Sequence, residues 1–163
     1  MSVRALLLAG GLLLVTSCFR APPPDAQLRS HFVEHIGVFS ELREMITVDR
    51  LFEVGECGQA FARQMLQFQD PESFGVGPER VKLYARLLRQ IGCPGVNRLE
   101  DNTVIFHVDG QGMASHGWRA GVLWSTKEPE NLIVNLDAFQ KTKAEWEYFH
   151  SRVEGNWYLR LVW

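Results

Sequence analysis

At Thr103 the hydrophobic period of this 163-residue chain changes from 3.6 to 2, so one class of secondary structure cannot serve both halves. Before that point, apolar residues recur at helical spacing. Leu28, Phe32, His35, Phe39, Leu42 and Ile46 line one side of a helix from Leu28 to Ile46, and Ile36, Val38 and Met45 widen the stripe. Arg29, Ser30, Glu34, Glu41, Arg43 and Glu44 face the other way, and Asp25 is placed to cap the start. A second helix carries Pro78 in its first turn, where no amide donor is lost, and buries Val81, Tyr84, Leu88 and Ile91. Gly92-Cys93-Pro94 stops it. Between the two, Thr47 to Gln69 is ambiguous. Phe61, Ala62, Met65, Leu66 and Phe68 suggest a helix after Gly58, and Asp70 to Gly77 is a loop.

After Thr103 the alternation predicts strands over 103–109, 118–125, 132–137, 146–153 and 157–163. The joining segments are rich in Gly, Pro, Asn, Lys and Glu, which favours short antiparallel connections. The expected class is α+β: two or three N-terminal helices packed on a C-terminal, mostly antiparallel meandering sheet of about five strands, a single domain over residues 28–163. The last hairpin tests the register. A two-residue turn at Gly155-Asn156 sets Leu159 opposite Arg152 and mixes polar with apolar on both faces. A three-residue loop, Glu154-Gly155-Asn156, pairs Val153 with Trp157, Ser151 with Leu159 and Phe149 with Leu161. The other face then collects His150, Arg152, Tyr158 and Arg160, so the three-residue loop is the expectation.

The opening residues do not belong to that domain. Arg4 supplies a positive charge, and Ala5 to Val15 is apolar apart from Gly10 and Gly11. At about 11 residues this run is too short for a bilayer core needing ~20 helical residues, and it has the length of an export signal. It ends in Leu14-Val15-Thr16-Ser17-Cys18, which resembles the lipobox of bacterial lipoproteins. The resemblance implies a signal peptide over 1–17, diacylation of Cys18, cleavage before it, and N-acylation. Residues 18–27 then form a lipidated, Pro-rich tether built on Pro22-Pro23-Pro24. Phe19 rather than Asp follows the cysteine, and by analogy with lipoprotein sorting this implies an outer-membrane position facing the periplasm. The expected partners are the membrane, through covalent lipid on Cys18, and another envelope protein or peptidoglycan. Loss of residues 1–17 removes only Arg4 among the charged groups, taking the net charge from −2 to −3. With no Lys/Arg run, nucleic acid is excluded as a partner. The C-terminal third, through Gly117-Trp118-Arg119-Ala120-Gly121 and Arg152-Val153-Glu154-Gly155-Asn156-Trp157-Tyr158-Leu159, also resembles small uncharacterised proteobacterial proteins, a likeness that implies no activity.

Lipidation of Cys18 accounts for the odd cysteine count and leaves Cys57 and Cys93 in an oxidising compartment. A disulfide between them closes roughly 37 residues and contributes ~4 kcal/mol in the chain-entropy model. Two buried thiols are the alternative, since spacing alone does not bring their Cα atoms within bridging distance.

Candidate chemistry is sparse. His31-Phe32-Val33-Glu34-His35 spells H-x-x-E-H, which resembles the inverted zinc-peptidase signature: two imidazoles one helical turn apart beside a carboxylate. Against a metal site of His31, Glu34 and His35 stand the position of His35 on the apolar stripe and the want of a marked third ligand. His107, Asp109 and His116 form a second polar cluster, placing two side chains at i, i+2 on a strand and one in the following loop. Ser115-His116 is not a G-x-S-x-G elbow, because adjacent loop residues make a poor nucleophile–base pair. The five tryptophans, all in the C-terminal part, offer either core mass or glycan-stacking platforms. His150, Arg152 and Arg160 on the polar sheet face are placed to meet an anionic group. No glycine-rich phosphate loop or dinucleotide fingerprint is present. The expected function is therefore a non-catalytic structural, binding or inhibitory role at the envelope, with no cofactor. A metal-binding protein or hydrolase using the H-x-x-E-H helix, or a glycan-binding module, is the alternative.

Overall fold

The computed structural model describes residues 21–55, 76–113, 116–138 and 147–163. The export segment, Cys18, Cys57, the helix expected after Gly58, Ser115 and Trp146 lie outside these residues.

Two α-helices, α1 (Asp25–Val48) and α2 (Pro78–Gln90), pack on one face of a seven-stranded sheet. The strands are β1 (Glu53–Gly55), β2 (Gly95–Arg98), β3 (Val104–Met113), β4 (His116–Trp124), β5 (Leu132–Ile133), β6 (Tyr148–Glu154) and β7 (Trp157–Val162), and a 3₁₀ turn spans Leu136–Ala138. Their spatial order is β1-β2-β3-β4-β7-β6-β5.

The class is α+β, but the sheet is not a meander of about five strands. Among the described residues it has seven, and it is mixed, because β5 runs parallel to β6. From β4 the chain skips over two places to the far edge and returns through β6 and β7, so β4 pairs with β7. Nor do all helices precede the sheet, since β1 lies between α1 and α2. The unforeseen strands are short: β1 has three residues and β2 four, fewer than a period of two needs to show itself. The strand expected over 132–137 keeps only two residues, and the 3₁₀ turn takes its second half.

Helix α1 buries Leu28, Phe32, Phe39, Leu42, Met45 and Ile46, the apolar side of the sequence pattern, whereas His35 is only half-buried. Asp25 is not its cap. Pro24 holds that position without a side-chain cap bond, and Asp25 sits inside the first turn with 2 % of its surface exposed. Its carboxylate instead accepts the Leu136 N–H at 3.0 Å, while its own N–H donates to Asp137 Oδ1 at 2.8 Å. Arg29, one turn on, pairs with Asp25, donates to Ser151 Oγ, and reaches the Arg152 carbonyl at 2.9 Å. The start of α1 is thus fastened to β6 and to the 3₁₀ turn.

Both helices end with a left-handed residue and the same pair of backbone bonds. After α2, Gly92 (φ +54) donates to Arg89 O, and Cys93 donates to Leu88 O. After α1, Arg50 (φ +56) donates to Thr47 O and Leu51 to Ile46 O. Asp49 then joins the two helices, accepting from Tyr84 Oη and Arg80 Nε, each at 2.8 Å. Burial and the bond to Asp49 push the Tyr84 phenol well above its usual range.

The core is aromatic. Phe39 meets Phe106 edge to face at 5.0 Å, Phe32 lies 5.2 Å from Trp157, and Phe32 and Phe39 are 5.6 Å apart.

The final hairpin combines the two arrangements weighed from sequence. Phe149 pairs with Leu161 and Ser151 with Leu159, as the face-sorting argument requires. Yet the turn has two residues, Gly155-Asn156, and Trp157 faces Glu154 rather than Val153. A bulge between Arg152 and Glu154 absorbs the extra residue, and Gly155 takes φ +53, the left-handed value such a turn needs at its first position.

Candidate functional site

Opposite residues on paired strands share a face, so the register writes out the side of the sheet away from the helices. One row crosses it as Asn97, Ile105, Leu123, Tyr158 and Arg152, and the next as Gly95, His107, Gly121, Arg160 and His150. A third holds Arg119, Val162 and Tyr148. In the first row, Ile105, Leu123 and Tyr158 form a small buried cluster, with the Arg152 guanidinium 4.9 Å over the Tyr158 ring.

The second and third rows enclose a depression of ≈ 80 Å³, lined by Ile105, His107, Arg119, Gly121, Tyr148 and Arg160 among others. Gly121 makes its floor. A Cβ there would lie 2.2 Å from the Phe106 carbonyl oxygen, so only glycine allows β3 and β4 to approach so closely, and no side chain fills the space.

The charge in this depression is of one sign. Arg160 is half-buried, stacked 4.8 Å over the Tyr148 ring, and among the described residues its guanidinium has no ion pair and no hydrogen bond. Arg119, on the adjacent strand, is exposed and equally without a partner among those residues. Four other arginines are satisfied, Arg29 by Asp25, Arg80 by Asp49, Arg152 by Glu128 at 2.5 Å, and Arg98 by the Leu51 carbonyl and Asn102. Burial lowers the pKa of Arg160; Tyr148 opposes that shift and Arg119 adds to it.

Two histidines flank the pair. His107 Nε2 lies 2.5 Å from Asn97 Oδ1, which fixes that nitrogen as the donor and leaves Nδ1 without its proton in the neutral ring. Burial, then Arg160 and Arg119, hold His107 below the usual histidine range. His150 donates from Nδ1 to the Glu130 carbonyl at 2.8 Å. Burial lowers its pKa, the bond to Glu130 opposes this, and Arg160 lowers it further. Two fixed cations, a neutral imidazole able to accept a proton, and an aromatic wall are chemically suited to an anion.

The residues singled out from sequence fall elsewhere or apart. His31, Glu34 and His35 lie on α1, with the two imidazole centroids 4.8 Å apart and Glu34 exposed. His31 also packs edge-on against Phe39 at 6.0 Å, and its buried Nε2 has no hydrogen-bond partner among the described residues; burial, then His35, lower its pKa, and the Ile91 backbone opposes the shift. A bulge between His107 and Asp109 breaks the i, i+2 pairing expected there. His107 lies opposite Gly121 and Asp109 opposite Ala120, successive residues that point to opposite faces. The His116 side chain is outside the described residues. Among those residues, no group of three or more His, Cys, Asp or Glu is placed to hold a metal ion. Cys93 is buried, its Sγ 3.0 Å from the His107 carbonyl and 3.1 Å from that of Gly95. Trp118 and Trp157 are core residues, and Trp124 is half-buried beneath the Arg43 guanidinium at 4.7 Å.

Of the suggested anion-binding group, His150 and Arg160 do share the open face, but Arg152 is engaged with Tyr158 and Glu128. Arg119, Gly121, Tyr148 and His107 were not recognised as members of one site. The signal exists in the sequence as Arg119 and Gly121 at i, i+2, but it gains meaning only once β4 is known to lie beside β7. Compared with known proteins, this chain matches no family model, no curated protein and no solved structure.

Proposed function

We propose that the chain is a lipid-anchored binding protein of the bacterial envelope, held at a membrane through Cys18 and acting through the open face of its sheet rather than by catalysis. The carrying observation is the run from Arg4 through the apolar Ala5–Val15 segment to Leu14-Val15-Thr16-Ser17-Cys18. Six residues, Phe19 to Pro24, then separate the cysteine from α1, and an extended chain of that length spans about 20 Å. Among the described residues no helix is long and apolar enough to cross a membrane. In this reading attachment rests on the acyl chains, of which two or more are needed for a stable anchor. The binding role is supported by the concentration of cationic groups around the depression on the open face, whose lining among the described residues includes no carboxylate. Cys18→Ala is expected to abolish incorporation of radiolabelled palmitate and to release the protein from the membrane fraction. Unchanged labelling and fractionation would retire the anchor.

A further inference from the structure

We infer that the depression around Gly121 binds a phosphate monoester group, inorganic phosphate being its smallest form, between the guanidinium groups of Arg160 and Arg119. The inference deepens the binding half of the proposed function and does not depend on the lipid anchor.

Charge selects the ligand class. Two arginines on adjacent strands face one space without a counter-ion among the described residues, and arginine stays protonated at any physiological pH. A single carboxylate would neutralise one of them. A phosphate monoester carries about −1.5 to −2 at neutral pH and presents three acceptor oxygens, enough for both. The planar fork of each guanidinium suits paired bonds to such oxygens, and Tyr148 beneath Arg160 limits the orientations its fork can take.

Size agrees with charge. A depression of ≈ 80 Å³ is large enough for a tetrahedral oxyanion, and its open side lets anything attached to the phosphate extend toward solvent. Gly121 is what keeps the space empty, since no other residue fits against the Phe106 carbonyl. His107 completes the site. Its Nε2 is held by Asn97, so a proton taken up on Nδ1 adds a third cationic donor when an anion is beside it.

Calorimetric titration of the full chain in detergent, in a phosphate-free buffer at pH 8.0, where inorganic phosphate is mainly the dianion, tests this with inorganic phosphate and with acetate as the singly charged control. Saturable one-site binding of phosphate, at least about tenfold tighter than acetate, is expected. Arg160→Met should weaken it about tenfold or more, and Arg119→Gln severalfold. Because Arg119 is exposed, its variant is expected to keep the wild-type circular dichroism and so serves even if Arg160→Met misfolds. Arg43→Gln, on the opposite side of the sheet, should bind as wild type. Monomeric short-chain phosphatidic acid distinguishes the sources: tighter binding than phosphate marks a lipid headgroup, and weaker binding marks a free or soluble phosphate. The inference is overturned if phosphate gives no saturable heat, if acetate binds as tightly, or if both arginine variants bind like wild type. In each of those cases palmitate labelling of Cys18 would still report on the anchor separately.

Discussion

The two faces of the sheet use side chains in opposite ways. Toward the helices, β3, β4 and β7 present Val104, Phe106, Trp118, Val122, Trp157, Leu159 and Leu161, and the carboxylates of Asp25 and Asp49 at that border are paired: Asp25 with Arg29 and the Leu136 amide, Asp49 with Arg80 and Tyr84. On the open face the apolar cluster stops at Ile105, Leu123 and Tyr158, and beyond it stand Arg160 and Arg119 with no opposing charge among the described residues. Burying a charge without a partner is unfavourable, so the second arrangement does not serve stability. One face is arranged to hold the fold and the other to meet a ligand, and each can be tested by removing what characterises it.

The largest effect is expected on the helix side. Phe39 has no exposed surface and touches Phe32, Phe106 and Trp157, so Phe39→Ala should cost about 3–5 kcal/mol in chemical denaturation. A loss below about 1 kcal/mol would mean that this face is not the one that carries stability. Next comes Asp25→Ala, which strands the buried Leu136 N–H and leaves Arg29 without its carboxylate; a loss of about 2–3 kcal/mol is expected. Asp25→Asn retains an acceptor for the amide and should recover part of it.

On the open face the sign reverses. Arg160→Leu replaces a half-buried, uncompensated guanidinium by an apolar side chain beside Tyr148 and Val162. Stability should be unchanged or rise by about 1 kcal/mol while phosphate binding is lost. A clear destabilisation would show that Arg160 belongs to the structural side of the comparison after all.

The helix-packed face was legible in the sequence and the open face was not, for a physical reason. Burial against a helix demands apolar residues at a fixed period, and Leu28, Phe32, Phe39 and Leu42 are conspicuous for that reason. Period-2 alternation likewise revealed β7 and sorted Phe149 and Ser151 from His150 and Arg152. What alternation cannot supply is the order of strands. A meander sets β4 beside β5, whereas the observed β4–β7 pairing is what brings Arg119 and Gly121 to Arg160. Bulges defeat the pattern too: one between His107 and Asp109 separates residues that spacing places together, and another at Val153 changes the turn without changing the register. Asp25 illustrates a third difficulty. Its position invites the role of a cap, but its carboxylate binds the amide of Leu136, 111 residues away in sequence.

The smallest effect, and the one that joins the two faces, is the response to acid. His31 on the helix side and His107 and His150 on the open side all sit below the ordinary value of 6.5. The neighbours that set these shifts besides burial are His35 and Glu34 for His31, Arg160 and Arg119 for His107, and Arg160 with the Glu130 carbonyl for His150. A histidine whose folded pKa is depressed binds fewer protons in the native state than in the unfolded chain, so stability rises with pH across the interval between the two values. The contribution is complete above about pH 6.5 and is lost as pH falls through 6.5 toward the folded values. Denaturation midpoints should therefore drop between pH 7.5 and 5.5, and His107→Gln should make the drop shallower. Phosphate gives this measurement its power to discriminate. A dianion between Arg160 and Arg119 favours the imidazolium of His107, raising its folded pKa and flattening the acid slope, while leaving the shares of His31 and the helix side as they were. Acetate at equal ionic strength should flatten the slope less. A midpoint that rose on acidification, or a slope equally indifferent to both anions, would remove the electrical difference between the two faces.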